Sequence, residues 1–147
     1  MARGRQADVK SVFVDSSVLF TAANSPTGGS AKLFTLKNIK LLLSPLVLTE
    51  TERNIRNKLY SHQLERFFKL VEKAQILDQN PDSNLIRKSR KVINEKDSAI
   101  LAEAKLVKSD FLVTLDKKDF LKEEVAKFAK PTIVVTPKML FELLNVK

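Results

Sequence analysis

Short apolar runs rich in β-branched residues alternate along this chain with stretches of helical spacing, and that alternation leaves few folds open. SVFV (Ser11 to Val14), IKLLL (Ile39 to Leu43), QIL (Gln75 to Leu77), FLVTL (Phe111 to Leu115) and TIVV (Thr132 to Val135) read as strands. Helical spacing runs through Ser17 to Ala23, Ala31 to Lys37, Pro45 to about Leu59, a segment from Ser61 through Ala74, and Glu95 to Leu106. A basic helix with Arg87, Lys88, Arg90 and Lys91 is expected after Pro81 and Asp82, a turn and a short helix from Lys117 to Lys130, and a last helix through Leu144. Strand and helix in alternation imply an α/β fold, a parallel sheet covered on both faces.

The punctuation agrees with this reading. Ser44 followed by Pro45, and Thr136 followed by Pro137, each set a hydroxyl N-cap before a proline whose missing N–H costs a helix start nothing. NSPTGGS, from Asn24 to Ser30, holds two of the three glycines and reads as a loop. At 147 residues, with no repeat or linker, the chain is expected to be one domain, and its basic residues 1–10 a flexible N-terminal arm.

With 44% hydrophobic residues the chain is too apolar to be disordered, and no apolar run is long enough to span a bilayer. No membrane association and a cytoplasmic location are expected. Cysteine is absent and histidine occurs once, at His62, which excludes disulfides, thiolate metal sites and His-rich zinc sites. Lysine and arginine outnumber aspartate and glutamate 26 to 17, a formal charge of +9 that favours a polyanionic partner, nucleic acid foremost.

Against that basic background a few acids stand in unusual places. SVFV and FLVTL each deliver an aspartate at the carboxyl end, Asp15 and Asp116. That edge of an open parallel sheet is where ligands bind. Asp97 opens the helix before the second of these strands, on the side of its apolar Ile100 and Leu101, and Asp119 follows Asp116 by about a turn. The helix after Ser44 adds Glu50 and Glu52, which point roughly 200° apart, so one of them at most faces a cleft; periodicity does not choose between them. Taken singly, each acid reads as a cap, turn or surface residue. Taken together, carboxylates converging on one edge repel unless a cation neutralises them, and hard oxygen donors suit Mg²⁺ or Mn²⁺.

These segments resemble the PIN-domain family over nearly the whole chain: VFVDSSVLF its opening, SPLVLTE the segment of its second acid, KDSAILAEAKLVKSDFLVTLDKKDF its most recognisable stretch, and TIVVTPKML its ending. The resemblance implies a three-layer α/β/α fold with a central parallel sheet and a divalent-metal-dependent endoribonuclease site. Carried over residue by residue, Asp15, Glu50, Asp97 and Asp116 bind metal and are catalytic, with Asp119 a further ligand; this selects Glu50 over Glu52. Ser16 is expected to orient a carboxylate or water, and Thr114 to support Asp116. No expected acidic position is missing, which favours an active enzyme.

The family resemblance also implies partners. Small PIN proteins include the toxins of toxin and antitoxin pairs, often dimeric, and stand-alone RNA-processing nucleases. The expected substrate is RNA, single-stranded or in loops because an A-form duplex hides its bases. Arg53, Arg56, Arg87, Lys88, Arg90, Lys91 and Lys117 are the candidate phosphate contacts. An antitoxin and a second copy of the chain are the candidate protein partners. A non-catalytic RNA-binding or scaffold protein is the competing reading, and the fully occupied acidic set counts against it. A receiver domain would want an adjacent acidic pair after the first strand, where this chain has Asp15 followed by serines.

Overall fold

Residues 9–146 are described by the computed structural model. Five strands, β1 (Lys10–Val14), β2 (Ile39–Leu43), β3 (Gln75–Ile76), β4 (Phe111–Val113) and β5 (Ile133–Val135), form one sheet in the order β3-β2-β1-β4-β5. Every neighbouring pair is parallel. Val12, Phe13 and Val14, Leu41 to Leu43, and Phe111 to Val113 are buried without alternation, as strands covered on both faces must be.

Helices fill the connections. α1 (Ser16–Asn24) and α2 (Gly29–Leu33) join β1 to β2, and α3 (Pro45–Lys58) and α4 (Ser61–Val71) join β2 to β3. The chain then crosses back through α5 (Ser83–Ser89) and α6 (Glu95–Leu106) to β4, continues through α7 (Lys117–Phe120) and α8 (Glu123–Ala129) to β5, and ends in α9 (Pro137–Leu143). Right-handed crossovers running in opposite directions put the first four helices on one face and the next group on the other. Accordingly α1 packs on α3 and α4, whereas α6 packs on α5 and α8. The direction of winding reverses between β1 and β4, so their carboxyl ends flank a crevice.

The expected caps form: Val47 N–H donates to Ser44 Oγ (3.1 Å) and Met139 N–H to Thr136 Oγ1 (3.2 Å). Some boundaries differ from the sequence reading. β4 stops at Val113 rather than Leu115, because the Leu115 N–H turns out of the sheet to bond Ser17 Oγ at 3.1 Å. The turn and short helix expected over Lys117 to Lys130 are a single-turn helix and a second helix, since Leu121 (φ −95°, ψ 55°) leaves the helical region and Lys122 is extended. α2 starts two residues before Ala31, directly after Gly28, whose φ of 96° suits glycine alone, and ends at Leu33 rather than Lys37. Arg90 and Lys91 lie past the end of α5. Of the N-terminal arm expected over residues 1–10, residues 1–8 lie outside the described residues and Lys10 opens β1.

Candidate functional site

Asp15 follows β1 directly, and its N–H bonds Val113 O of β4 (3.0 Å), so the switch point of the sheet fixes its backbone. Its side chain is buried and takes two hydroxyl donors on one oxygen: Ser17 Oγ at 2.6 Å and Thr114 Oγ1 at 2.8 Å from Oδ2. Burial raises its pKa, while these hydroxyl donors and the N–H groups of Ser16 and Ser17 oppose the rise by favouring the ionised form. The carboxylate is thus held in place by hydroxyl and N–H donors.

Thr114 ties two strand ends together. Besides donating to Asp15 it accepts the N–H of Asp116 at 3.1 Å. Asp116 in turn caps α7 by accepting the N–H of Asp119 at 3.0 Å. Asp97 comes in from the start of α6, where Asn94 caps the helix through Asp97 N–H (2.9 Å) and also donates from Nδ2 to Asp97 Oδ2 (3.0 Å). Asp97, Asp116 and Asp119, all half-buried, each bring a carboxylate oxygen within 4.8 Å of the others. Burial first, then the charges of Asp15, Asp116 and Asp119, push the Asp97 carboxyl above its ordinary range.

A cleft of about 220 Å³ opens over this group, lined by Asp15, Ser16, Ser17, Asp97 and Asp116 with Asn54, Lys58 and Lys96 at its margin. Its lining is mostly polar, as a site for ions and phosphate needs to be. Glu50 is half-buried and sits one and two turns before Asn54 and Lys58 on the same stripe of α3. It does not join the three converging aspartates; its charge instead falls on Glu103. Glu52 faces elsewhere and pairs with Arg56 at 2.9 Å.

Several expected roles thereby acquire a position. Asp15, Asp97, Asp116 and Asp119 come together, and Glu50 lies on the stripe that leads to them. The hydroxyl that holds Asp15 belongs to Ser17, with Ser16 beside it in the cleft wall, and Thr114 serves both Asp15 and Asp116. Of the basic residues, Lys117 lines a neighbouring cavity, Arg53 and Arg56 are exposed on α3, and Arg87, Lys88, Arg90 and Lys91 surround the end of α5 outside the cleft lining. Lys58 and Lys96 reach the cleft instead; adjacency in sequence to Asp97, and a spacing of two turns from Glu50, were the available signals. His62 is exposed and stacks on Tyr60, and Phe67 is core while Phe68 is 44% exposed.

Sequence reasoning also passed over Glu103. Its carboxyl is buried, with Oε1 lacking a hydrogen-bond partner and its pKa raised by burial, and Ser44 opposes that rise. Flanking Ala102 and Ala104 in LAEAK were the signal that this glutamate stands in a buried stripe.

Residues 12–126 match the family model of the PIN domain. Among solved structures the chain resembles VapBC2 from Rickettsia felis bound to a DNA fragment from their promoter (TM-score 0.67, 18% identity, 86% of this chain and 98% of that one). It also resembles PAE2754 from Pyrobaculum aerophilum (TM-score 0.63, 17% identity, 97% and 100%). A third likeness is VapC20 of Mycobacterium tuberculosis, a sarcin-ricin loop cleaving toxin (TM-score 0.53, 14% identity, 73% and 91%). At these identities the likeness is one of fold. No curated protein matches the chain.

Proposed function

The chain belongs to the PIN domain family, and from that membership together with the acidic cleft we propose that it is a divalent-metal-dependent endoribonuclease of the toxin type. The convergence of Asp97, Asp116 and Asp119 within 4.8 Å, with Asp15 in the same cleft, is the observation that carries this reading. Such a group favours a cation, and oxygen donors of this kind suit Mg²⁺ or Mn²⁺. Asp15, Asp97 and Asp116 would hold it, with Asp119 and Glu50 as further acids. A bound divalent ion supplies charge neutralisation and a water nucleophile at neutral pH for phosphodiester hydrolysis.

The chain's own groups do the rest. Ser17 and Thr114 favour the ionised form of Asp15 against its burial and hold it in place, so the site is organised before substrate arrives. Lys58 and Lys96 at the margin attract the RNA backbone, which the acids alone would repel. Substrate RNA is taken up single-stranded or as a loop. The likeness to VapBC2 and to the VapC20 toxin supports an antitoxin partner that restrains the site, and a stand-alone RNA-processing role is the alternative within the same chemistry. RNA cleavage measured with Mg²⁺ or Mn²⁺, with chelator, and with Asp116→Asn tests the proposal: cleavage should need both the ion and the carboxylate.

A further inference from the structure

A second and larger cavity shares its wall with the acidic cleft. Asp116 lines the cleft, while Leu115 and Lys117 on either side of it line a cavity of about 580 Å³. The other wall is shared too: Ser17 of α1 lines the cleft and Thr21, one turn on, lines the cavity. The far side is the start of α9, with Pro137, Lys138 and Met139. Both openings therefore lie side by side at the carboxyl edge of the sheet.

The chemistry of the two differs. Where the cleft is acidic, the cavity offers apolar surface from Leu115, Pro137 and Met139, hydroxyls of which Thr21 is one, and two ammonium groups from Lys117 and Lys138 against the single carboxylate of Glu142. Leu115 and Met139 are 41% and 38% exposed, so that apolar surface is open to an incoming ligand. Apolar surface, a hydroxyl able to donate or accept, and nearby cations are what an unstacked nucleotide requires: surface for the base, a partner for its edge, and countercharge for its phosphate. The volume is in the range of small-molecule sites.

Resting on the nuclease reading above, we infer that this cavity receives the base of the nucleotide next to the scissile phosphate and selects among bases. Thr21 and Met139 are then specificity determinants, and Lys117 and Lys138 neutralise the adjoining phosphate. A base seated there brings the adjoining phosphate to the cleft, because Asp116 lines the cleft while its neighbours Leu115 and Lys117 line the cavity.

Binding, which requires no turnover, tests this. Fluorescence anisotropy of short single-stranded RNAs of each single base, on protein carrying Asp116→Asn, should show affinities spread by about tenfold or more. Adding Thr21→Val or Met139→Ala should shrink the spread severalfold, whereas adding Lys138→Ala should weaken all the RNAs by similar factors. Equal affinities for all bases, or a spread unchanged by both Thr21→Val and Met139→Ala, would overturn the inference. So would a change in sedimentation on Met139→Ala with RNA affinities unaltered, which would make the cavity an interface between copies of the chain. Hydrolysis of bis(p-nitrophenyl) phosphate with Mn²⁺ by the unsubstituted protein tests the nuclease reading separately, since that diester has no base to place.

Discussion

Thr114 Oγ1 lies 2.8 Å from Asp15 Oδ2, joining the end of β4 to the end of β1 at the point where the winding of the sheet reverses. The threonine is fully buried and the aspartate nearly so, so this bond operates away from water.

Thr114→Val keeps the shape and removes both the donor to Asp15 and the acceptor of the Asp116 N–H. A hydrogen bond to a buried charged group is worth about 1.5–3 kcal/mol, and Asp15 would retain Ser17 but lose its second hydroxyl. Urea unfolding should show a loss of roughly that size, activity should fall, and Thr114→Ser should restore both. Thr114→Val with the stability and activity of the parent would mean that the bond organises nothing.

The acids make a signed prediction about pH. Burial raises Asp15, and burial with the neighbouring aspartates raises Asp97, above the ordinary value of 3.8. A carboxyl that holds its proton more tightly when folded contributes stability that is complete below its unfolded pKa and lost as pH rises through its folded one. Metal-free protein should therefore lose stability from about pH 4 upward through the raised values. Asp97→Asn should flatten that fall and raise the Tm in chelator at pH 7 by roughly 2–4 °C. Parallel melting curves for parent and variant across pH would show that Asp97 is an ordinary first-turn residue of α6.

The two glutamates of α3 separate cleanly. Glu52 spends its charge on Arg56 at the surface, whereas Glu50 lies half-buried on the stripe of Asn54 and Lys58. Glu50→Gln should weaken Mn²⁺ binding about tenfold or more, as loss of a carboxylate near a bound ion does, and Glu52→Gln should leave it within about twofold. Calorimetric titration decides between them, and equal losses would remove Glu50 from the site.

These contrasts mark how far the sequence could be read. SVFV and FLVTL announce strands by β-branched content and an aspartate at each end announces the cleft, because local pattern and the parallel-sheet rule suffice for both. The partner of Asp15 was out of reach: Ser16 and Ser17 are adjacent and chemically alike, and only the path of the first turn of α1 presents Ser17 rather than Ser16 to it. Thr114 was expected beside Asp116, and it does accept that N–H, but its bond to Asp15 spans 99 residues and has no sequence signature. Likewise the densest basic run, Arg87 to Lys91, lies at the end of α5, while the two lysines that border the cleft, Lys58 and Lys96, stand outside that run.

Those lysines give a test of recognition. Lys58→Ala and Lys96→Ala should each weaken binding of single-stranded RNA severalfold and shallow its salt dependence by about one ion, as loss of one phosphate contact predicts. Arg87→Ala and Lys88→Ala should do neither. The reverse ranking, measured by anisotropy across a salt series on Asp116→Asn protein, would move the RNA path to α5.

The most direct test of the central claim is single-turnover cleavage of a labelled single-stranded RNA with Mn²⁺ present, with chelator present, and with Asp116→Asn. Loss of this carboxylate should lower the rate by at least about a hundredfold while the variant melts, free of metal, no lower than the parent. Cleavage that survives the chelator, or that Asp116→Asn leaves within a few-fold of the parent, would contradict a metal-dependent nuclease built on this cluster.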